Sequence, residues 1–201
     1  LRLEGAAGAV TLAGSLDVVA APAIPNGSSF TIIENMGDAA VSGTFEGLPE
    51  GTEFYEDAQW WRISYAGGTG NDVVLTRIAP TPWQQWQASH FGPATNDPSV
   101  AGDRADHDDD GIPNLLEYAL DSDPLLGGPR YLPIGSVVGG RLALTFARTV
   151  ANTDITMIVQ GANVLTGPWT DLASSINGAS FSPTGGGIVT ETGSGPTRLV
   201  E

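Results

Sequence analysis

Trp60-Trp61-Arg62-Ile63-Ser64-Tyr65 decides the class of the fold. In an extended chain Trp61, Ile63 and Tyr65 point to one side and Trp60, Arg62 and Ser64 to the other. Aromatic and β-branched residues at that spacing predict a strand with at least one buried face. Upstream and downstream, residues 10–12, 16–19, 30–33, 41–45 and 73–76 have the same character, broken by turn residues such as Pro49-Glu50-Gly51. Residues 126–201 repeat the pattern. Leu142, Leu144 and Phe146 alternate with Arg141, Ala143 and Thr145, and Ile155, Met157 and Val159 do the same. Trp169, Phe181, residues 188–192 and residues 198–200 extend it. Short strands between Gly and Asn turns predict a small sandwich.

Between these blocks the period changes. Thr81 can cap a helix with Pro82 at its first position, and Trp83, Trp86 and His90 then share one face. A loop follows: Asp106-His-Asp108-Asp-Asp110-Gly111-Ile112-Pro-Asn114-Leu-Leu-Glu117. Its spacing fits D-x-[DN]-x-[DN]-G-x5-E without a gap. Calcium is a hard cation that takes six to eight oxygens. Asp106, Asp108 and Asp110 offer carboxylates at alternate positions, and Gly111 permits the sharp bend. Ile112 offers its backbone carbonyl, Asn114 ligates directly or through water, and Glu117 binds from the first turn of the next helix. Pro113 suits the start of that helix. Without a cation the carboxylates repel one another. Asp121 and Asp123 either complete this site or cap the helix end.

Other motifs carry less. Gly67-Gly68-Thr-Gly70-Asn-Asp72 fits one copy of a calcium-binding β-roll nonapeptide, which needs stacked copies. The simpler expectation is a turn in which Asp72 bonds backbone amides. Trp60 is a candidate carbohydrate contact, because it is expected to face away from Trp61. The two histidines, His90 and His107, fall on a helix face and at a non-ligand loop position, so the chain is read as non-catalytic.

Charge narrows the partners. Among the 201 residues, 23 are Asp or Glu and 8 are Lys or Arg, a net charge of −15. Such a chain repels phosphate backbones, so nucleic acid is not an expected partner. There is no Cys, so thiolate metal sites and disulfides are excluded. No apolar run approaches the roughly 20 residues of a membrane span.

Two of these blocks carry a resemblance. SSFTIIENMGDAAVSGTFEGLPEGTEF and WWRISYAGGTGNDVVLT resemble the closing segment of bacterial autotransporter-associated β-strand repeat proteins. WQQWQASHF and ADHDDDGIPNLLEYALDSDP resemble the linker that follows, with a thrombospondin type 3 or dockerin-like calcium loop. RLALTFARTVANTDITMIVQGANVLTGPWTDLA is similar to the terminal sandwich of the same proteins. The resemblance implies an extracellular or cell-surface protein of Verrucomicrobia-like bacteria, with a structural or adhesive role.

The expectation is therefore a mostly β chain in three parts. Residues 1–78 are a β-solenoid-like end segment, 79–125 a helical linker with the calcium loop, and 126–201 a β-sandwich. The runner-up is a glycan-binding accessory module of a secreted hydrolase. The opening Leu1-Arg-Leu is either a cut end or a strand donated head-to-tail to the next subunit, which would build filaments.

Overall fold

A computed structural model describes residues 2–3, 10–20, 24–127 and 132–201, with side chains from residue 10 onward. Leu1 and Glu4 lie outside the described residues. The chain forms two compact units, residues 1–80 and 81–201.

The first unit is one five-stranded sheet. Its strands are β1 (Arg2–Leu3), β2 (Ser29–Asn35), β3 (Glu53–Glu56), β4 (Gln59–Gly67) and β5 (Asp72–Arg77), in the order β1-β2-β5-β4-β3. Trp61, Ile63 and Tyr65 of β4 are all buried, as their alternation predicts. They pack with Ile33, Phe54, Val73 and Leu75. Each such apolar side chain taken from water contributes roughly 1.5–3 kcal/mol. Tyr65 also ties the preceding loop to this sheet: its hydroxyl donates to Leu48 O (2.6 Å) and accepts from Phe45 N (3.0 Å).

A stack of repeated solenoid coils is not what the described residues of this unit form. β2, β5, β4 and β3 are joined antiparallel, and only β1 runs parallel to its neighbour. Tight turns explain the difference. Asp57 and Ala58 both sit at positive φ, 49° and 58°, the geometry that closes a two-residue hairpin between β3 and β4. Alanine adopts that conformation at a cost of about 1 kcal/mol. Replacing Ala58 with Gly is therefore expected to stabilise the chain by about 1 kcal/mol, read by urea unfolding. Beside the meander runs one parallel layer, where Thr11 bridges Ser42. Gly43 lets it close up: a Cβ there would sit 2.3 Å from the Leu12 carbonyl oxygen.

The second unit begins with helix α1 (Pro82–Phe91), capped as its sequence predicts. Thr81 Oγ1 accepts from Gln84 N, and Gln84 Oε1 accepts from Thr81 N. A short 3-10 turn (Gly92–Asn96) leads to the acidic loop and then to α2 (Asn114–Leu120). Two antiparallel sheets follow. One holds β6 (Ile134–Val138), β7 (Arg141–Thr149), β11 (Glu191–Thr192) and β12 (Thr197–Val200) in the order β11-β12-β7-β6. The other holds β8 (Thr156–Gly161), β9 (Thr170–Ile176) and β10 (Ser182–Pro183) in the order β10-β9-β8.

Phe146 and Val200 of the first sheet meet Ala173 of the second, with Phe181 beside them. Leu120 of α2 joins this cluster, so the helix after the acidic loop is part of the core that the two sheets share. The inward stripe of β7 opens progressively: Arg148 is 1% exposed, Phe146 6%, Leu144 38% and Leu142 85%. A cavity of about 550 Å3 lies between the sheets at the Leu142 end. No helix among the described residues is long and apolar enough to cross a membrane.

Candidate metal centre

The loop folds its own acids inward. Asp110 N donates to Asp106 Oδ1 (3.1 Å) and Asp108 Oδ1 (3.3 Å), and Gly111 N donates to Asp106 Oδ2 (2.8 Å). Ile112 N donates to Asp110 Oδ1 (2.9 Å). Gly111 takes φ +90°, a conformation open to glycine at little cost. One carboxylate oxygen from each of Asp106, Asp108 and Asp110 lies within 4.8 Å of the others. The Ile112 side chain turns inward and is buried.

α2 brings the remaining oxygens. Glu117, in its first turn, is 1% exposed. Ser122 Oγ donates weakly to its Oε1 (3.4 Å), while Oε2 has no partner among the described residues. Burial pushes the Glu117 carboxyl up to about 7, and the charges of Asp108, Asp110 and Asp106 push the same way. Asp108 is also raised, first by desolvation and then by the Asp110 charge. Asn114 is fully buried. Its Nδ2 donates to Val100 O (2.9 Å) and Gly102 O (3.0 Å), which turns Oδ1 the other way without a partner.

Burying an acceptor without a partner costs about 1–3 kcal/mol, more for a charged group. Three side-chain oxygens among the described residues are in that state: Asp108 Oδ2, Asn114 Oδ1 and Glu117 Oε2. All three belong to the one loop whose spacing predicts cation ligands. Such oxygen-only, carboxylate-rich donors suit a hard divalent cation rather than a soft one. The three aspartates can hold a metal ion.

The site is tied down by partners far away in the chain. Tyr118 OH donates to Asp154 Oδ1 (2.6 Å), and Asp154 Oδ2 accepts Trp83 N (2.7 Å) at the start of α1. Burial, then this bond to a carboxylate, raises the Tyr118 hydroxyl far above its usual range. Asn152 Nδ2 donates to Tyr118 O (2.5 Å). Trp83 and Trp86 stack at 5.0 Å, and both meet the Tyr118 ring edge-on. Sequence reasoning missed Asn152 and Asp154, because nothing local marks a residue that acts on α2 from the β7–β8 connection, and it missed Ser122, two residues past the end of α2, because the loop spacing assigns that position no role.

Other predicted residues lie elsewhere. Asp121 is the left-handed C-cap of α2, and its Oδ2 accepts from the Thr197 hydroxyl (2.7 Å). Asp123 Oδ1 accepts Leu125 N (3.0 Å). Both carboxylates thus serve the chain after α2, and neither belongs to the aspartate cluster. Trp60 is 6% exposed with its ring against Tyr55, so it offers no face for a sugar to stack on. Tyr55 on the neighbouring strand packs against it, while Arg62 and Ala66 on the same face of β4 stay exposed. Asp72, just after the Gly-rich turn, reaches across to β2 instead of bonding amides of its own turn: its Oδ1 accepts Asn35 N (2.8 Å). His90 packs on Trp86, with Nδ1 bonded to Trp86 O (2.8 Å), and His107 packs on Phe91.

Comparison of the chain with protein-family models, with curated proteins and with solved structures gave no match. The reading of the centre therefore rests on its own geometry.

Proposed function

We propose that this chain is a non-catalytic, calcium-stabilised structural module of an exported or surface-borne bacterial protein. The observation that carries this reading is the buried Glu117 carboxylate, with one oxygen unpartnered, beside three clustered aspartates. The ligands are Asp106, Asp108, Asp110, the Ile112 carbonyl, Asn114 and Glu117. When bound, the ion supplies the positive charge that these oxygens lack. The chain's own part is to hold them ready. Asn114 is oriented by Val100 and Gly102, Glu117 is braced by Ser122, and α2 is anchored in the sandwich by Leu120 and Tyr118.

Extracellular calcium modules bind with dissociation constants of roughly 0.1–1 mM, which suits export into millimolar calcium. The resemblance to autotransporter-associated β-strand repeat proteins and to thrombospondin type 3 loops supports the same setting. It also supports a finer reading of the first unit as the end of a parallel coil stack. The parallel pairs of β1 with β2 and of Thr11 with Ser42 agree with that reading.

Proteolysis tests the proposal. The segment before the loop is held by bonds from α2: Asn114 N to Ala105 O (2.8 Å), Leu115 N to Asp103 O (3.1 Å) and the Asn114 amide. Arg104 is exposed within it. Trypsin cleavage after Arg104 is expected to be slow in millimolar calcium and to accelerate in EDTA. Equal rates in the two conditions would contradict a metal lock on this segment.

A further inference from the structure

Four strands of the second unit stand at sheet edges: β6 and β11 in one sheet, β8 and β10 in the other. An edge strand offers unpaired N–H and C=O groups to any other chain, and three of these four carry a device against it. β8 has a bulge between Val159 and Gln160. β10 is two residues long and contains Pro183, and β11 is two residues long and contains Glu191. β6, Ile134-Gly-Ser-Val-Val138, has none of these devices. It is uncharged, free of proline, five residues long and exposed throughout. Its register with β7 is unbroken over all five residues.

That register fixes which backbone groups are free. Gly139 and Gly140, at φ 57° and 79°, close a two-residue hairpin in which Val138 and Arg141 exchange hydrogen bonds. Along an antiparallel pair, bonded and non-bonded positions alternate. The N–H and C=O of Gly135 and Val137 therefore turn away from β7, and they meet no partner among the described residues. Gly135 and Val137 share a face with Leu144 and Leu142, the residues opposite them. Val137 is 73% exposed there, and Ile134 on the other face is 68% exposed.

Charge selects the occupant. At −15, two copies of this chain repel each other over most of their surface. Residues 124–153 hold none of the 23 acidic residues, and β6 and its one neighbour, β7, both lie inside that stretch. We infer that β6 is the edge through which the chain pairs with a second copy of itself, strand to strand and antiparallel, about a two-fold axis at Ser136. Full overlap of residues 134–138 places Gly135 opposite Val137 of the second copy, and each such pair exchanges two backbone hydrogen bonds. Val137 of each copy then lies beside a glycine of the other, where no side chain stands, and can reach Leu144 beyond it. The two four-stranded sheets become one continuous sheet. Such a contact is isologous and closes at two copies, so it makes a dimer and not a filament. It uses no residue of the acidic loop and goes beyond the calcium reading, so the two fail separately.

A contact of five residues a side belongs with small, transient interfaces. Sedimentation velocity of the full chain in millimolar calcium, from about 10 μM to 1 mM, is expected to show a monomer–dimer equilibrium. Val137→Glu puts a charge on the edge and is expected to weaken the dimer by roughly tenfold or more. Leu165→Glu, at an exposed site in the β8–β9 connection, is expected to leave it unchanged. Cysteine tests the register, because the chain has none of its own. Ser136→Cys brings two thiols to directly opposite positions, about 4.5 Å apart at Cα and within reach of a disulfide, so diamide is expected to link the copies. In Val138→Cys the two positions are four residues, about 14 Å, apart along the strands, and no link is expected. A monomer throughout the concentration range would overturn the inference. So would a dimer that Val137→Glu leaves intact, equal weakening by Leu165→Glu, or equal linking of the two cysteine variants.

Discussion

Stripping calcium from the chain at pH 7.5 is expected to lower its melting temperature, through the second unit, by roughly 4–8 °C. The figure follows from linkage. One site with a dissociation constant of roughly 0.1–1 mM, held at a few millimolar calcium, contributes about 1–2 kcal/mol. The size of the effect depends on pH through Glu117. In the metal-free fold its carboxyl is raised from 4.5 to about 7, mainly by burial. Below about pH 4.5 the folded and unfolded chains both hold the proton, and the group contributes nothing to the difference. Between about 4.5 and 7 only the folded chain holds it, so metal-free stability falls as pH rises. Above about 7 the cost is complete, at about 3 kcal/mol. Calcium takes the place of that proton. Its affinity is therefore expected to weaken by about tenfold per pH unit below 7. Melting curves at pH 5.5 and 7.5, with calcium and with EDTA, check both signs. A calcium effect larger at 5.5 than at 7.5 would contradict the role given to Glu117.

Replacing Arg148 with Ala is expected to cost about 3–5 kcal/mol, the largest single effect in the sandwich. Arg148 is 1% exposed. Its Nη2 donates to Glu191 Oε1 (2.7 Å) and to Ala179 O (2.8 Å), and the guanidinium lies over the Phe181 ring at 5.3 Å. Glu191 Oε2 in turn accepts Phe181 N (2.9 Å). Removing the arginine leaves a buried carboxylate without its counter-charge. The double replacement Arg148→Met with Glu191→Leu removes both charges, and it is expected to recover most of the loss. Urea unfolding of the two variants measures the difference. A single replacement that costs under about 1 kcal/mol would show that the pair is hydrated rather than buried.

Local pattern made part of this legible. The alternation of Trp61, Ile63 and Tyr65 gave β4, and that of Leu142, Leu144 and Phe146 gave β7, because period-two burial is written residue by residue. Thr81 and Pro82 gave the start of α1. The spacing of Asp106, Asp108 and Asp110 predicted their convergence, since a tight loop brings alternate residues together.

What was not legible depends on distance or on an unusual conformation. β3 carries glutamate at both ends, and its turn uses Ala58 at positive φ, where Asn or Gly is the usual signal. The antiparallel closure of the first unit was missed for that reason. The same period that buries Phe146 places Arg148 on the inward stripe, but nothing near it points to Glu191, 43 residues on. Trp60 was read as outward from alternation alone, which cannot show that Tyr55 packs against its ring.

Calorimetric titration of calcium into the full chain at pH 7.5 decides whether the acidic loop is a calcium site. One site is expected, in roughly the 0.1–1 mM range, that releases about one proton for each ion bound near pH 6. Asp108→Ala and Glu117→Gln are each expected to abolish that site while the far-ultraviolet dichroism of the β-sheets persists. Absence of binding at several millimolar calcium in the unaltered chain, or unchanged binding in both variants, would contradict a calcium site there.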